Sequence, residues 1–591
     1  MIEGWTPQVG ELGWLLARVV GVEDLLAARG LTDDDLTQVL AEAGRFAEGV
    51  IAPLNRVGDR HGATLANGVV TTAPGWVDAY RRFAEAGWCG IAADPVHGGQ
   101  GLPLALATAT TELWNTASLA FALCPLLSQA AMGVLERFAN ADQRRRWLEP
   151  LVAGRWTGTM NLTEPQAGSD LAQVRTRATP HPDGGHRVHG QKIYITYGDH
   201  DLTENIVHLV LARLPDGPPG IKGLSLFVVP KRLVRPDGGI GPANNVRVLG
   251  LEHKLGIHAS PTCTLAFGED GGAVAELLGE PHRGIEYMFT MMNHARLAVG
   301  VQGVAIAERA LAAAAAYARG RIQGRPIGGR TGDPIAAHPD LRRMLGVSRA
   351  EILAARALAL ETAALLDRGA AGDAAAQARG DLLIPVVKAW ATDLGVAVAS
   401  TAIQIHGGMG FIEETGAAQH LRDARITPIY EGTNGIQAAD LLGRKLLRDN
   451  GRTMAALVAD GRATAAALAE APGDDATTLA SELVAATDAL DRACHHLTAT
   501  AEAAPADAAA VAVPLLELVG VTAGGWMIAR VLAAAIADQG RRGADHRRLD
   551  HMVQLARLYA DHILPRTAGL ARTIVGGSRA VAALDLTMFD A

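Results

Sequence analysis

The stretch HRVHGQKIYIT, His186–Thr196, decides how the chain divides. Apolar and polar residues alternate along it, and β-branched and aromatic residues crowd toward its end. That is the period of a strand rather than of a helix. On this reading Lys192, Tyr194 and Thr196 share one face, with Ile193 and Ile195 on the other. Similar runs surround it, namely NIVHLVLARL, GLSLFVVP, NVRVLGL and TCTLAF, punctuated by PDGPPGIKG and RPDGGIGPANN. From about Thr157 to about residue 280 the sequence predicts an antiparallel β domain.

On both sides the period changes to that of helices. LTDDDLTQVLAEAGRFAEGVIAPLNRVGDRHG opens with Thr32 as an N-cap and acidic residues in the first turn. ADQRRRWLEPLVAG is amphipathic and ends on a glycine. Downstream, HARLAVGVQGVAIAERALAAAAAYARGR and DLLIPVVKAWATDLGVAVASTAIQIHGGMG predict two long helices. An Ala-rich helical block follows, with EAPGDDATT and GRRGADHRR as loops. The expected fold is α+β, mainly α, in four parts. Residues 1–155 form an N-terminal extension and helical domain, 156–283 a central β domain, 284–451 a helical domain, and 452–591 a C-terminal helical extension. Strands do not alternate with helices, so a doubly wound parallel sheet is disfavoured.

The bulk numbers narrow the function. The 591 residues exceed one ordinary domain; 49% are hydrophobic, 20% charged and only 4% aromatic, which favours helices packed through small side chains. A net charge of −8 without a basic run argues against nucleic acid as a partner. Cys89, Cys124, Cys263 and Cys494 lack metal or disulfide spacing, so no metal is expected and a reducing, cytoplasmic setting is. The start shows no signal-peptide pattern, and no run of about 18 uninterrupted apolar residues predicts a membrane span.

Four short motifs carry chemistry. ITPIYEGTNGIQ, Ile426–Gln437, sets one carboxylate, Glu431, beside Tyr430 and Gly432 and downstream of apolar residues. Apolar surroundings raise a carboxyl pKa, which suits a base for a weakly acidic C–H proton; the bland alternative is a solvated turn glutamate. MNLTEPQAGSDL, Met160–Leu171, can bring backbone N–H groups and the Thr163 and Ser169 hydroxyls to a planar polar ligand. QKIYITYG, Gln191–Gly198, could present a ring and a hydroxyl to one ligand, or simply pack across strands. QIHGGMGF, Gln404–Phe411, allows close approach to a phosphate or sugar, although it is not the GxGxxG fingerprint and could be a helix cap.

Together these motifs resemble, in order and spacing over roughly residues 30–450, the acyl-CoA dehydrogenase family of flavoproteins. The finer match is similar to the branch with a C-terminal helical extension, which contains broad-specificity fatty acyl-CoA and 3-methylmercaptopropionyl-CoA dehydrogenases. TYGDHDLTENIVHLVLARLPDGPPGIKGLSLFVVPK and HKLGIHASPTC carry that match. The resemblance implies an N-terminal helical domain, a β domain and a four-helix domain, with FAD as cofactor and an acyl-CoA thioester as substrate. Glu431 would take the Cα proton and flavin N5 the Cβ hydride, giving a trans-2-enoyl-CoA. The backbone N–H of Glu431 and the flavin ribityl hydroxyl would stabilise the developing enolate.

The same resemblance assigns the other roles. Leu162, Thr163, Gly168, Ser169, Tyr194 and Thr196 would line the flavin, with tryptophan at the Tyr194 position in many relatives. Arg321 and Gln323 would reach the FAD of a neighbouring subunit, and Gln404, Gly407 and Gly408 would hold its adenosine side. Thr433 and Gly435 would also face the cofactor. Ser169, Asn293, Arg296, Tyr430 and Gly432 would meet the substrate or support the base. Some relatives place their base one residue before that arginine, where this chain has Ala295. An electron-transfer flavoprotein is the implied acceptor and a homodimer the implied assembly, with no membrane association. An acyl-CoA oxidase using oxygen and a non-catalytic member that merely retains FAD are the alternatives.

Overall fold

Strands form where the alternating runs lie. The computed structural model describes residues 5–590. These fall into two units: Glu42–Pro103 with Leu113–Ala298, and the chain up to Ala41 with Leu104–Glu112 and everything from Val299 on.

The first unit begins with a small hairpin of β1 (Thr64–Ala66) and β2 (Val69–Thr71). Its turn residues Asn67 and Gly68 both have positive φ, 53° and 77°. This is the geometry that makes Asn-Gly a hairpin signal. The hairpin corrects the purely helical reading of residues 1–155, and LANGVV was its overlooked marker.

The main sheet contains β3 (Trp156–Asn161), β4 (Arg177–Pro180), β5 (His186–Thr196), β6 (Asn205–Arg213) and β7 (Leu224–Pro230). A separate ribbon, β8 (Arg232–Val234) with β9 (Ile240–Ala243), leads to β10 (Val246–Leu251), β11 (Thr262–Phe267) and β12 (Ala273–Leu278). The order is β10-β11-β5-β12-β7-β6-β3, with β4 pairing β5 and β6. Most pairs are antiparallel, but β3 and β4 run parallel to β6, which corrects the expectation of a wholly antiparallel domain. The chain between β3 and β6, containing β4 and β5, supplies the long crossover a parallel pair needs. Val188, Ile195, Val210, Phe227, Val229, Leu265 and Phe267 form the core against this sheet.

β5 departs from the predicted alternation. Ile195 lies opposite Cys263 and Lys192 opposite Leu265, so Ile193 and Tyr194 together face one residue of β11. This is a β-bulge, and Tyr194 takes φ 60° in it. Beyond the bulge the side-chain parity reverses. Lys192 and Ile195 are therefore both buried, while Tyr194 is 60% exposed. Lys192 does not share the face of Tyr194.

The second unit is helical. Its principal elements are α1 (Gly284–Gly320, whose first part belongs to the other unit), α2 (Pro339–Ala370), α3 (Ala374–His406), α4 (Ala417–Ala424) and α5 (Asn434–Asp440). Then come α6 (Arg452–Ala469), α7 (Asp474–Thr500), α8 (Ala512–Asp538), α9 (His546–His562) and α10 (Arg566–Gly576). The α6–α10 block is built around the largely buried α8. α1 and α3 approach at glycines: a Cβ on Gly303 would lie 2.2 Å from the Ala391 carbonyl oxygen. Thr32 caps the helix Asp33–Phe46 as expected, its Oγ1 accepting from the Asp35 N–H at 3.3 Å.

A buried ionic cluster ties the N-terminal helix Val9–Trp14 into this unit. Arg356, fully buried, meets Glu11, Glu112 and Glu308, and Arg349 meets Glu11 and Glu308. Burial pushes the Glu112 carboxyl up despite Arg356, which fits three acids facing two guanidinium groups. Among the described residues, four helices, Leu119–Phe138, α1, α3 with its following turn, and α8, match a membrane span by length and composition, but 78–89% of each apolar window is buried inside the protein. Their apolarity is used by the core.

Candidate active site

The turn carrying Glu431 connects α4 to α5. Glu431 and Gly432 are both left-handed, with φ 57° and 83°. A residue with a side chain pays roughly 1–2 kcal/mol for that conformation, so surrounding contacts must hold it. Tyr430 donates its hydroxyl to Oε1 of Gln302 on α1. Burial first, and then the neighbouring Glu431 charge, pushes the Tyr430 phenol well above its usual range, so it stays a donor. Thr433 caps α5 by accepting from the Ile436 N–H at 3.2 Å. Gln437 Nε2 donates to the carbonyl oxygens of Glu431 at 3.3 Å and Gly432 at 3.1 Å.

Asn434 fastens the turn to α3. Its Oδ1 accepts from the buried Lys388 Nζ at 2.9 Å, and its Nδ2 donates to the Ala389 carbonyl at 3.1 Å and Asp393 Oδ1 at 2.8 Å. Burial raises the Asp393 carboxyl against the opposing Asn434 bond. Asn434 and Asp393 also line, with Gln404 and Trp390, a cleft of about 530 Å³ within this unit.

In the other unit, the loop after β3 is braced from beneath. Lys192 Nζ donates to the Leu162 carbonyl at 2.9 Å and to Glu164 Oε1 at 2.8 Å. Glu164 also accepts from the Arg175 and Thr176 N–H groups, the Thr176 hydroxyl and Gln166. Burial alone would raise Glu164; the Lys192 charge and these donors outweigh it and hold the carboxyl at about 2. Burial in turn lowers Lys192 to about 8. Thr163 is held to the bulge of β5 by its carbonyl, which accepts from Ile193 N–H at 3.0 Å.

The predicted residues thus gather into groups. Leu162, Thr163, Gly168 and Ser169 lie on this loop, and Tyr194 and Thr196 at the end of β5. Arg296 donates to Asn293 at 3.5 Å one turn apart on the first part of α1. Between them, burial lowers His294 to about 4. In the helical unit Tyr430, Glu431, Gly432, Thr433 and Gly435 share one turn. Gln404, Gly407 and Gly408 sit at the end of α3, and Arg321 and Gln323, both exposed, follow α1. The sequence reading missed the bracing residues Lys192, Glu164, Lys388, Asn434, Gln437 and Gln302. A lysine inside the apolar run IPVVKAW was the one available signal.

The glycines test whether a flavin nucleotide fits. A Cβ on Gly168, Gly407 or Gly408 would meet no protein atom within 4 Å. The space they keep open is not filled by the chain's own packing. Gly407 also needs its φ of 61° to end α3. The Tyr194 ring is likewise exposed and leaves a face for a planar group.

Comparison with known proteins agrees. Models of the acyl-CoA dehydrogenase N-terminal, middle and C-terminal domains match residues 33–155, 159–269 and 282–447, and an acetyl-CoA dehydrogenase C-terminal-like model matches 453–585. The chain is similar to 3-methylmercaptopropionyl-CoA dehydrogenase of Ruegeria pomeroyi, 47% identical over 92% of each chain. It is 33% identical to the broad-specificity linear acyl-CoA dehydrogenase FadE5 of Mycobacterium tuberculosis, over 93% of this chain and 94% of that one. An acyl-CoA dehydrogenase of Bacillus anthracis, solved with FAD, shares the fold at TM-score 0.72 and 22% identity, covering 94% of this chain and 90% of the other. The chain belongs to the acyl-CoA dehydrogenase family and is an FAD-dependent enzyme that oxidises acyl-CoA thioesters.

Proposed function

We propose that the chain carries out α,β-dehydrogenation of an acyl-CoA thioester, with Glu431 as the base. The observation that carries this reading is the turn itself. A carboxylate residue is kept in a costly left-handed conformation by contacts from α1, α3 and α5. Such bracing has little purpose for a solvated turn residue, whereas a base must be held within tenths of an ångström of the proton it takes. Glu431 removes the Cα proton, and its own N–H polarises the thioester carbonyl where negative charge develops. Asn293 and Arg296 would contact CoA or support the base. FAD, when bound, accepts the electrons and the hydrogen leaving Cβ.

Leu162, Thr163, Gly168, Ser169, Tyr194 and Thr196 would line the flavin; Arg321 and Gln323 would reach the FAD of a neighbouring subunit, with Gln404, Gly407 and Gly408 on its adenosine side, and Thr433 and Gly435 would also face the cofactor. A homodimer completes the proposal. It is supported by apolar residues exposed beside these positions, Ile327 at 87% and Phe411 at 85%. The proposed acceptor is an electron-transfer flavoprotein and the proposed setting cytoplasmic, in keeping with four buried free thiols.

The test is anaerobic flavin bleaching by a panel of linear acyl-CoAs together with 3-methylmercaptopropionyl-CoA. Wild type should bleach with one class. Glu431→Gln should retain FAD and lose at least about 10²-fold in rate. Bleaching by Glu431→Gln at near wild-type rate would refute the assignment of the base.

A further inference from the structure

We propose that Gln437 is a positioning residue for this reaction. Its carboxamide, donating to the carbonyl oxygens of Glu431 and Gly432, sets the direction in which the Glu431 carboxylate leaves the turn. The proposal rests on the reading of Glu431 as the base.

Three observations support it. Both carbonyls converge on one nitrogen, at 3.3 and 3.1 Å. Because peptide units are planar, fixing these two oxygens fixes the two peptide planes that leave Glu431 and Gly432. Those planes flank Cα of Gly432 and set its φ of 83°; together with the plane before Glu431, on the Tyr430 side, they fix the direction of the Glu431 side chain at φ 57°. Second, Gln437 is fully buried, so water cannot substitute for the amide. Third, the other end of that amide is costly: Oε1 is buried with no hydrogen-bond partner. An apolar side chain of similar volume would remove this orphan acceptor. A purely structural position would favour such a replacement, whereas holding two carbonyls needs the donor.

The amide acts alongside the other braces. Tyr430 fixes the residue before Glu431 to α1, and Asn434 fixes α5 to α3. Gln437 reaches the carbonyl of Glu431 itself, so its loss should turn the base more than it loosens the helices.

The test compares the holoenzymes of Gln437→Met, Gln437→Glu and Glu431→Gln with wild type. Flavin absorbance gives cofactor content, and steady-state kcat and KM are measured from about pH 6 to about pH 9. Gln437→Met should lower kcat roughly 10- to 100-fold with KM within about threefold and FAD retained. In Gln437→Glu the introduced carboxyl is buried against two carbonyl oxygens, which raises its pKa. When neutral it donates an O–H to a carbonyl; when ionised it repels both. Its kcat relative to wild type should therefore be highest at low pH and fall as pH rises. Glu431, Tyr430, Asp393, Asp423 and Lys388 are common to both variants, so a limb seen only in Gln437→Glu belongs to position 437.

Wild-type kcat in Gln437→Met, or a flat ratio in Gln437→Glu, would overturn the proposal. So would loss of FAD from both, since that marks a structural role; if one variant loses FAD, the other decides. Activity retained by Glu431→Gln would instead overturn the base assignment, whatever position 437 does.

Discussion

Lys192→Met gives a sharp test of how the loop after β3 is held. Lys192 and Glu164 are 0% and 3% exposed, with 2.8 Å between Nζ and Oε1. Glu164 is lowered from 4.5 to about 2. Taken alone, this is worth roughly 3 kcal/mol of stability above pH 4.5, lost as pH falls toward 2. Lys192 is lowered from 10.5 to about 8. Its charged form thus costs the folded state a similar roughly 3 kcal/mol below pH 8, a cost that disappears as pH rises toward 10.5. Each shift contains the same mutual attraction, so the two are not added; breaking a buried pair typically costs about 3–5 kcal/mol.

The donors that remain on Glu164, Arg175 N–H, Thr176 N–H and hydroxyl, and Gln166, place the expected loss near the low end, about 3 kcal/mol. A chain of this length does not unfold as one unit, so the readout is the temperature of flavin release. About 3 kcal/mol corresponds to a drop of roughly 6–12 °C in a domain of this unit's size. With Lys192 gone, burial dominates and the Glu164 carboxyl takes up a proton at higher pH than before. The deficit should be full at about pH 8 and shrink by about pH 5. Glu164→Gln added to Lys192→Met should recover most of the loss. Equal deficits at both pH values, or none at either, would refute the electrostatic account.

Two further outcomes test the helical unit. Arg356→Met should destabilise it by at least about 3 kcal/mol at neutral pH and by less in acid, because Glu11, Glu112 and Glu308 would each lose their Arg356 contact; Glu112→Gln should cost far less, and thermal melts at two pH values separate the cases. Gly303→Ala should cost about 1–3 kcal/mol or more, since the added carbon would stand 2.2 Å from the Ala391 carbonyl oxygen and force α1 from α3; an unchanged melting temperature would show that the crossing relaxes freely.

Sequence alone determined the class of fold, the main helices and strands, and the turn that holds Glu431. Hydrophobic period and turn chemistry are local properties, so HRVHGQKIYIT announces a strand and the long Ala-rich runs announce helices wherever they lie. Glu431 stood out as a candidate because a single acid between Tyr430 and Gly432 stands in a spaced set of motifs. Tertiary structure decided the rest. The bulge at Ile193 and Tyr194 exists because β11 offers one residue against two, so Lys192 turns inward to Glu164 and Leu162 instead of sharing a face with Tyr194. β3 became parallel to β6 because pairing is chosen among distant segments. Gln302, Lys388 and Gln437 brace the Glu431 turn from three helices, up to 128 residues away in sequence. No local pattern carries such a contact, because its energy depends on which side chains meet once the helices have packed.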